Sequence, residues 1–140
     1  PCARGDVLLV ELRPHELPLG LVAQLFRLRM AGKTTVLAHP ERYEPLWADD
    51  GLIERLRAHC GFVCDLGAVA GYHGKQPQKM ARRLLEEGVA AAVASDAHTV
   101  EDVRAAAEGI AWIAKRLGRP AVARLLDDGP RALLAGELPE

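Results

Sequence analysis

Glu11, His39, Asp96 and His98 are the residues of this 140-residue chain with the most chemistry to offer. Carboxylates and imidazoles in one set suit first-row divalent metals such as Mn, Fe, Co or Zn. Asp96 and His98 stand two apart, so on a continuing strand their side chains point to the same side and can address one ion. His39 precedes Pro40, which biases it toward extended backbone and away from helix. Singly, each has an ordinary role open to it. Glu11 can pair with Arg13, Asp96 can cap the next helix, and a strand-end histidine can be a satisfied core or surface group. Their joint placement carries the argument, because polar groups close four short apolar runs. Glu11 follows Val7–Val10, and His39 follows Thr35–Ala38. Asp65 follows Phe62–Cys64, and Ser95-Asp96-Ala97-His98 follows Ala91–Ala94.

Continuous apolar runs of this length suit strands buried on both faces, as in parallel sheets. Helical patterns separate them. Leu19, Val22, Leu25, Phe26 and Met30 recur at helical spacing and end at Gly32. Leu52, Ile53, Leu56 and His59 mark a second face, with Asp49 or Asp50 as its N-cap and Gly61 as its stop. Met80, Leu84 and Leu85 mark a third that ends at Gly88. Val100 to Leu117 forms a fourth, and Pro120 opens a short fifth. Repeated strand–helix units predict an α/β chain of parallel β/α repeats with right-handed crossovers. A complete (β/α)₈ barrel takes about 250 residues, so one domain over 1–140 holds roughly half of one. In such a fold the C-terminal ends of all strands share one face, and active sites lie there. Asp65 also reads as a cap for a turn into the loop Gly67 to Gly74. His73, inside that loop, could approach a substrate but reads first as an exposed loop histidine, and His15, His59 and His73 have no assigned role.

Other chemistries are excluded. Lys plus Arg total 18 against 19 for Asp plus Glu, a net charge of −1 that gives no electrostatic footprint for nucleic acid. No apolar run is long enough to span a membrane, and the N-terminus has no signal-peptide pattern. Cys2, Cys60 and Cys64 are an odd count without a C-x-x-C, which predicts reduced thiols and a cytoplasmic setting. Gly32-Lys33-Thr34 lacks the first glycine of a P-loop, because Arg27 stands there, and it precedes a strand instead of following one. Neither Cys60 nor Cys64 starts a Cys-x₅-Arg loop, since Leu66 and Ala70 stand six residues on. Ser95 is the sole serine and has no Gly-x-Ser-x-Gly context. Hydrolysis by this chain would therefore need a metal-activated water.

Val36-Leu37-Ala38-His39-Pro40-Glu41-Arg42-Tyr43 and Ala94-Ser95-Asp96-Ala97-His98 resemble the PHP (polymerase and histidinol phosphatase) superfamily, in its bacterial capsule tyrosine-phosphatase branch of CpsB/CapC type. Leu9-Val10-Glu11, the loop Leu66 to Gly74 and the tail Pro130 to Gly136 extend the likeness over nearly the whole chain. Ala68 stands where the family's Gly-Ser-Leu loop carries serine. The resemblance implies the C-terminal half of a distorted β/α barrel with a trinuclear metal centre, often Mn. Glu11 would be a bridging carboxylate, and His39, Asp96 and His98 further ligands. Arg42 would hold the substrate phosphate. Arg104 is the nearest candidate for the family's second phosphate-binding arginine, although Glu101 and Glu108 flank it as on a solvated helix. The family's N-terminal His-x-His pair is absent from these 140 residues. The implied reaction is hydrolysis of protein phosphotyrosine, with a bacterial tyrosine autokinase of polysaccharide export as substrate and a possible homo-oligomer as the working form. Two alternatives are a non-catalytic half-domain and a phosphatase for a small ester such as histidinol phosphate. The His-Pro-Glu-Arg-Tyr segment disfavours the latter.

Overall fold

The structure, a computed structural model, describes residues 6–138, so Cys2 lies outside the described residues. Four strands, β1 (Val7–Val10), β2 (Thr34–Ala38), β3 (Cys60–Asp65) and β4 (Ala92–Ala94), form one sheet in the order β1-β2-β3-β4. Every neighbouring pair is parallel. The helices are α1 (Leu21–Met30), α2 (Asp50–Arg57), α3 (Leu66–Ala70), α4 (Lys75–Glu86), α5 (Val100–Leu117), α6 (Arg119–Ala123) and α7 (Gly129–Leu134). This is a β/α half-barrel with all C-terminal strand ends at one rim.

Burial explains the continuous apolar runs. In the central strand β2, consecutive residues Thr35, Val36 and Leu37 are all buried, so both sheet faces are covered there. Leu37, Phe62, Cys64 and Val93 join α1, α2, α4 and α5 in the larger core. Val7, Val36, Ala91 and Ala92 face the other way, against Leu133 of α7. Edge strand β1 is less covered, with Leu9 62% exposed. The amphipathic helix α4 buries Met80, Ala81, Leu84 and Leu85 while its charged residues face outward.

The strand ends differ in detail from the periodicity. Gly61, expected to stop the second helix, lies inside β3; α2 ends at Arg57, where the chain turns directly into the sheet. A Cβ at Gly61 would lie 2.8 Å from Leu133 Cδ2, so its small size serves packing of α7 on the sheet and not helix termination. Asp49 is the N-cap of α2, its Oδ1 accepting from the Leu52 N–H at 2.9 Å. The segment read as a glycine loop begins with a helical turn and a half, α3, capped by Asp65 through the Gly67 N–H at 2.7 Å. Cys60 and Cys64 are buried free thiols.

Candidate active site

Tyr43 ties the first two strand ends together. Fully buried, it donates its hydroxyl hydrogen to the Ala38 carbonyl at 2.6 Å and accepts from the Leu12 N–H at 3.2 Å. These bonds fix Glu11 and His39 as neighbours: Glu11 Oε1 lies 3.0 Å from His39 Nε2. His39 takes the left-handed conformation (φ 34°), a backbone state costly for a residue with a Cβ. Its N–H donates to Val63 O at 2.8 Å, which holds that turn against β3. The ring packs edge-on to Tyr43, and Nδ1 is buried with no hydrogen-bond partner.

The His39 turn continues as one turn of 3₁₀-helix, Pro40–Arg42. It points Glu41 inward and Arg42 toward the rim. Glu41 is wholly buried, and its Oε1 accepts the Asp65 N–H at 3.0 Å. Burial pushes its carboxyl up to about 8, so at neutral pH it braces β3 as a largely neutral acid. Burial likewise drives the Cys64 thiol well above its ordinary range, which removes it from nucleophilic chemistry.

Arg42 meets three groups. One guanidinium nitrogen donates to Asp65 Oδ2, lies 3.2 Å from His73 Nε2, and stands 3.7 Å from Asp96 Oδ2. Asp65 is 3% exposed, a buried carboxylate whose charge is met by Arg42 and by His73 Nε2 at 2.9 Å. On the fourth strand end, Asp96 also has positive φ (46°). The His98 Nδ1–H donates to the Asp96 carbonyl at 2.8 Å, a bond that leaves Nε2 outward for a ligand. Thr99 and Asp102 form a capping box at the start of α5. Asp102 Oδ2 accepts from the His98 and Thr99 N–H groups at 2.9 Å each, which holds its carboxyl below the usual range and pins the loop.

A cavity of about 350 Å³ is lined by Glu11, Arg42, Asp65, His73, Asp96 and His98, with Tyr72 and Asp102 at its wall. His39 lines an adjoining space that shares Glu11, Asp65 and Asp96. The fold thus brings all four candidate ligands and Arg42 to one rim. Arg104 is exposed on α5 and is not among the side chains lining the cavity; buried Ala105 takes the inward position. Asp65 and His73, read from sequence as a cap and an idle loop histidine, belong to the site. Asp65 was signalled by its place at a strand end; His73 was signalled only by its place in the glycine loop, from which it could approach a substrate.

The donor set fits a divalent metal in kind. It offers carboxylate oxygens, an outward imidazole nitrogen on His98 and an orphaned buried nitrogen on His39. It is incomplete in number: among the described residues, no three His, Cys, Asp or Glu side chains stand close enough to hold an ion. Of the two pairs, Glu11–His39 and Asp96–His98, the carboxylates line both adjoining spaces, whereas His98 lines one and His39 the other.

A parallel β/α half-barrel with these groups at its C-terminal rim defines a PHP-type domain. The chain belongs to the CpsB/CapC family, whose model, described as "Capsular polysaccharide synthesis, CpsB/CapC", matches residues 2–135. Among solved structures, the chain is similar to one from the crystal structures of YwqE from Bacillus subtilis and CpsB from Streptococcus pneumoniae, described as unique metal-dependent tyrosine phosphatases. The TM-score is 0.82 and the identity 26%, over 94% of this chain and 54% of that one. This chain therefore spans about half the length of that relative. No curated protein gives a significant match.

Proposed function

We propose that this chain supplies the substrate-binding rim of a divalent-metal-dependent phosphomonoesterase that hydrolyses protein phosphotyrosine. The observation that carries it is the convergence of Arg42 with Glu11, Asp96 and His98 on one cavity. Glu11, His39, Asp96 and His98 are the residues that would hold metal, manganese foremost, with iron, cobalt or zinc as alternatives. A bound divalent ion supplies positive charge to the phosphoryl oxygens and a more acidic water. Arg42 presents a planar fork to the non-bridging oxygens, and Asp65 fixes that fork at the mouth. Tyr72 offers an aromatic wall beside the phosphate position. The family and the solved relative support the reaction class.

The substrate we infer is a bacterial tyrosine autokinase that governs capsule or exopolysaccharide export. That assignment places the enzyme in the cytoplasm; among the described residues no helix is long and apolar enough to cross a membrane. The test is hydrolysis of a phosphotyrosine peptide with and without Mn²⁺. Turnover that appears with Mn²⁺ and vanishes with EDTA is expected; EDTA-resistant turnover overturns the proposal. One observation favours a second reading, a non-catalytic half-domain: the donors stand in pairs, without a group of three. Absence of turnover at saturating Mn²⁺ would favour it.

A further inference from the structure

Asp65 and His73 are arranged as a carboxylate–imidazole dyad at the wall of the cavity. Asp65 is nearly inaccessible and fixed at both oxygens: Oδ1 accepts the Gly67 N–H, and Oδ2 faces Arg42 and His73 Nε2. Arg42 and His73 Nε2 approach each other to 3.2 Å, yet arginine is a donor only, and the carboxylate between them accepts only. The consistent assignment has the imidazole N–H on Nε2, given to Asp65 at 2.9 Å. Nδ1 then carries the free lone pair of a ring that lines the cavity, with no partner among the described residues. The loop is built to hold this ring, because a Cβ at Gly67 would come within 3.0 Å of Nε2.

We propose that His73 is a catalytic proton-transfer residue, with Asp65 as its positioning residue. The inference rests on the phosphomonoesterase reading and adds a group that the metal and Arg42 do not replace. A water oxygen forms the new bond to phosphorus and releases its proton to bulk solvent. The phosphorus–aryl oxygen bond breaks with its electron pair left on the aryl oxygen. That oxygen takes a proton from Nδ1 of the protonated His73 ring, so phosphate and phenol leave, and the neutral ring regains its proton from solvent. Asp65 keeps Nε2–H in place throughout, the division of labour by which a carboxylate orients a catalytic histidine.

Two measurements on the full chain decide it. First, ¹⁵N NMR of the ring at a pH where it is neutral is expected to show the Nε2–H tautomer, which Asp65→Asn disturbs; an Nδ1–H tautomer overturns the dyad. Second, His73→Gln, which keeps a polar side chain but cannot relay a proton, is assayed with Mn²⁺. Turnover of a phosphotyrosine peptide should fall by about 10²-fold or more, the usual contribution of general acid–base catalysis. Turnover of p-nitrophenyl phosphate, whose leaving group departs readily without a proton, should fall at least tenfold less. Equal losses on both substrates overturn the proton role while leaving the phosphatase reading intact. A wild-type chain that hydrolyses neither substrate overturns the phosphatase reading, and the proton role with it.

Discussion

Gly109→Ala should destabilise this protein, although alanine favours helix over glycine by about 1 kcal/mol. Gly109 sits in the buried face of α5, where the helix crosses the start of α3. An ideal Cβ there would lie 2.4 Å from the Leu66 carbonyl oxygen and 3.1 Å from its carbon, against 3.4 Å for ordinary contact. Both partners are backbone, so relief requires the helices to part by about 1 Å instead of a side chain turning aside. Overpacking of this kind costs roughly 3 kcal/mol at the upper end of the usual range. Subtracting the propensity gain leaves a net loss of about 2 kcal/mol, or roughly 6 °C in Tm for a chain of this size. Leu66 directly follows Asp65, so the displacement also loosens the carboxylate that holds Arg42 and His73. Paired urea and thermal melts read the first effect, and KM for a phosphotyrosine peptide reads the second. A Tm equal to or above wild type would refute the close-approach argument.

Other outcomes follow from the same contacts. Tyr43→Phe removes the hydroxyl that bonds Ala38 and Leu12, and should cost about 1–3 kcal/mol in urea denaturation, since both partners lose a buried mate. Burial pushes the Cys60 thiol from 9.0 up to about 12. The unfolded chain therefore releases that proton first, and stability falls as pH rises from 9 toward 12, by up to about 1.4 kcal/mol per pH unit for this one group. Cys60→Ala should flatten that alkaline slope, measured as denaturant midpoint against pH, while Cys60→Ser should leave turnover nearly unchanged. Arg42→Lys keeps a charge but loses the fork, and should raise KM for an aryl phosphate about tenfold, as loss of one charge-assisted hydrogen bond would.

The β/α order and the shared rim were legible because parallel strands buried on both faces read as unbroken apolar runs. Thr34–Ala38 and Ala92–Ala94 fall within a residue of the runs that announced them at each end, whereas β3 is longer than its run on both sides. Gly61 misled because glycine stops helices by conformation, whereas here it serves close packing under Leu133. The short helix α3 was hidden because Gly67 and Gly71 read as a loop, while its formation depends on the Asp65 side chain capping the Gly67 N–H. Site residues at strand ends were visible from topology alone. His73 was not, since its position depends on the path of α3 and on a partner, Asp65, eight residues earlier. Arg104 shows the converse: the family pattern nominates an arginine after Asp-x-His, but the helical register turns Ala105 inward.

The most direct test of the account is Mn²⁺ binding to the purified chain, followed by calorimetry. Wild-type protein should bind, and Glu11→Gln and Asp96→Ala should each weaken binding by at least about tenfold, because these two carboxylates line both adjoining spaces at the rim. Binding that is absent in the wild type, or unchanged in both variants, would contradict a metal centre at this rim.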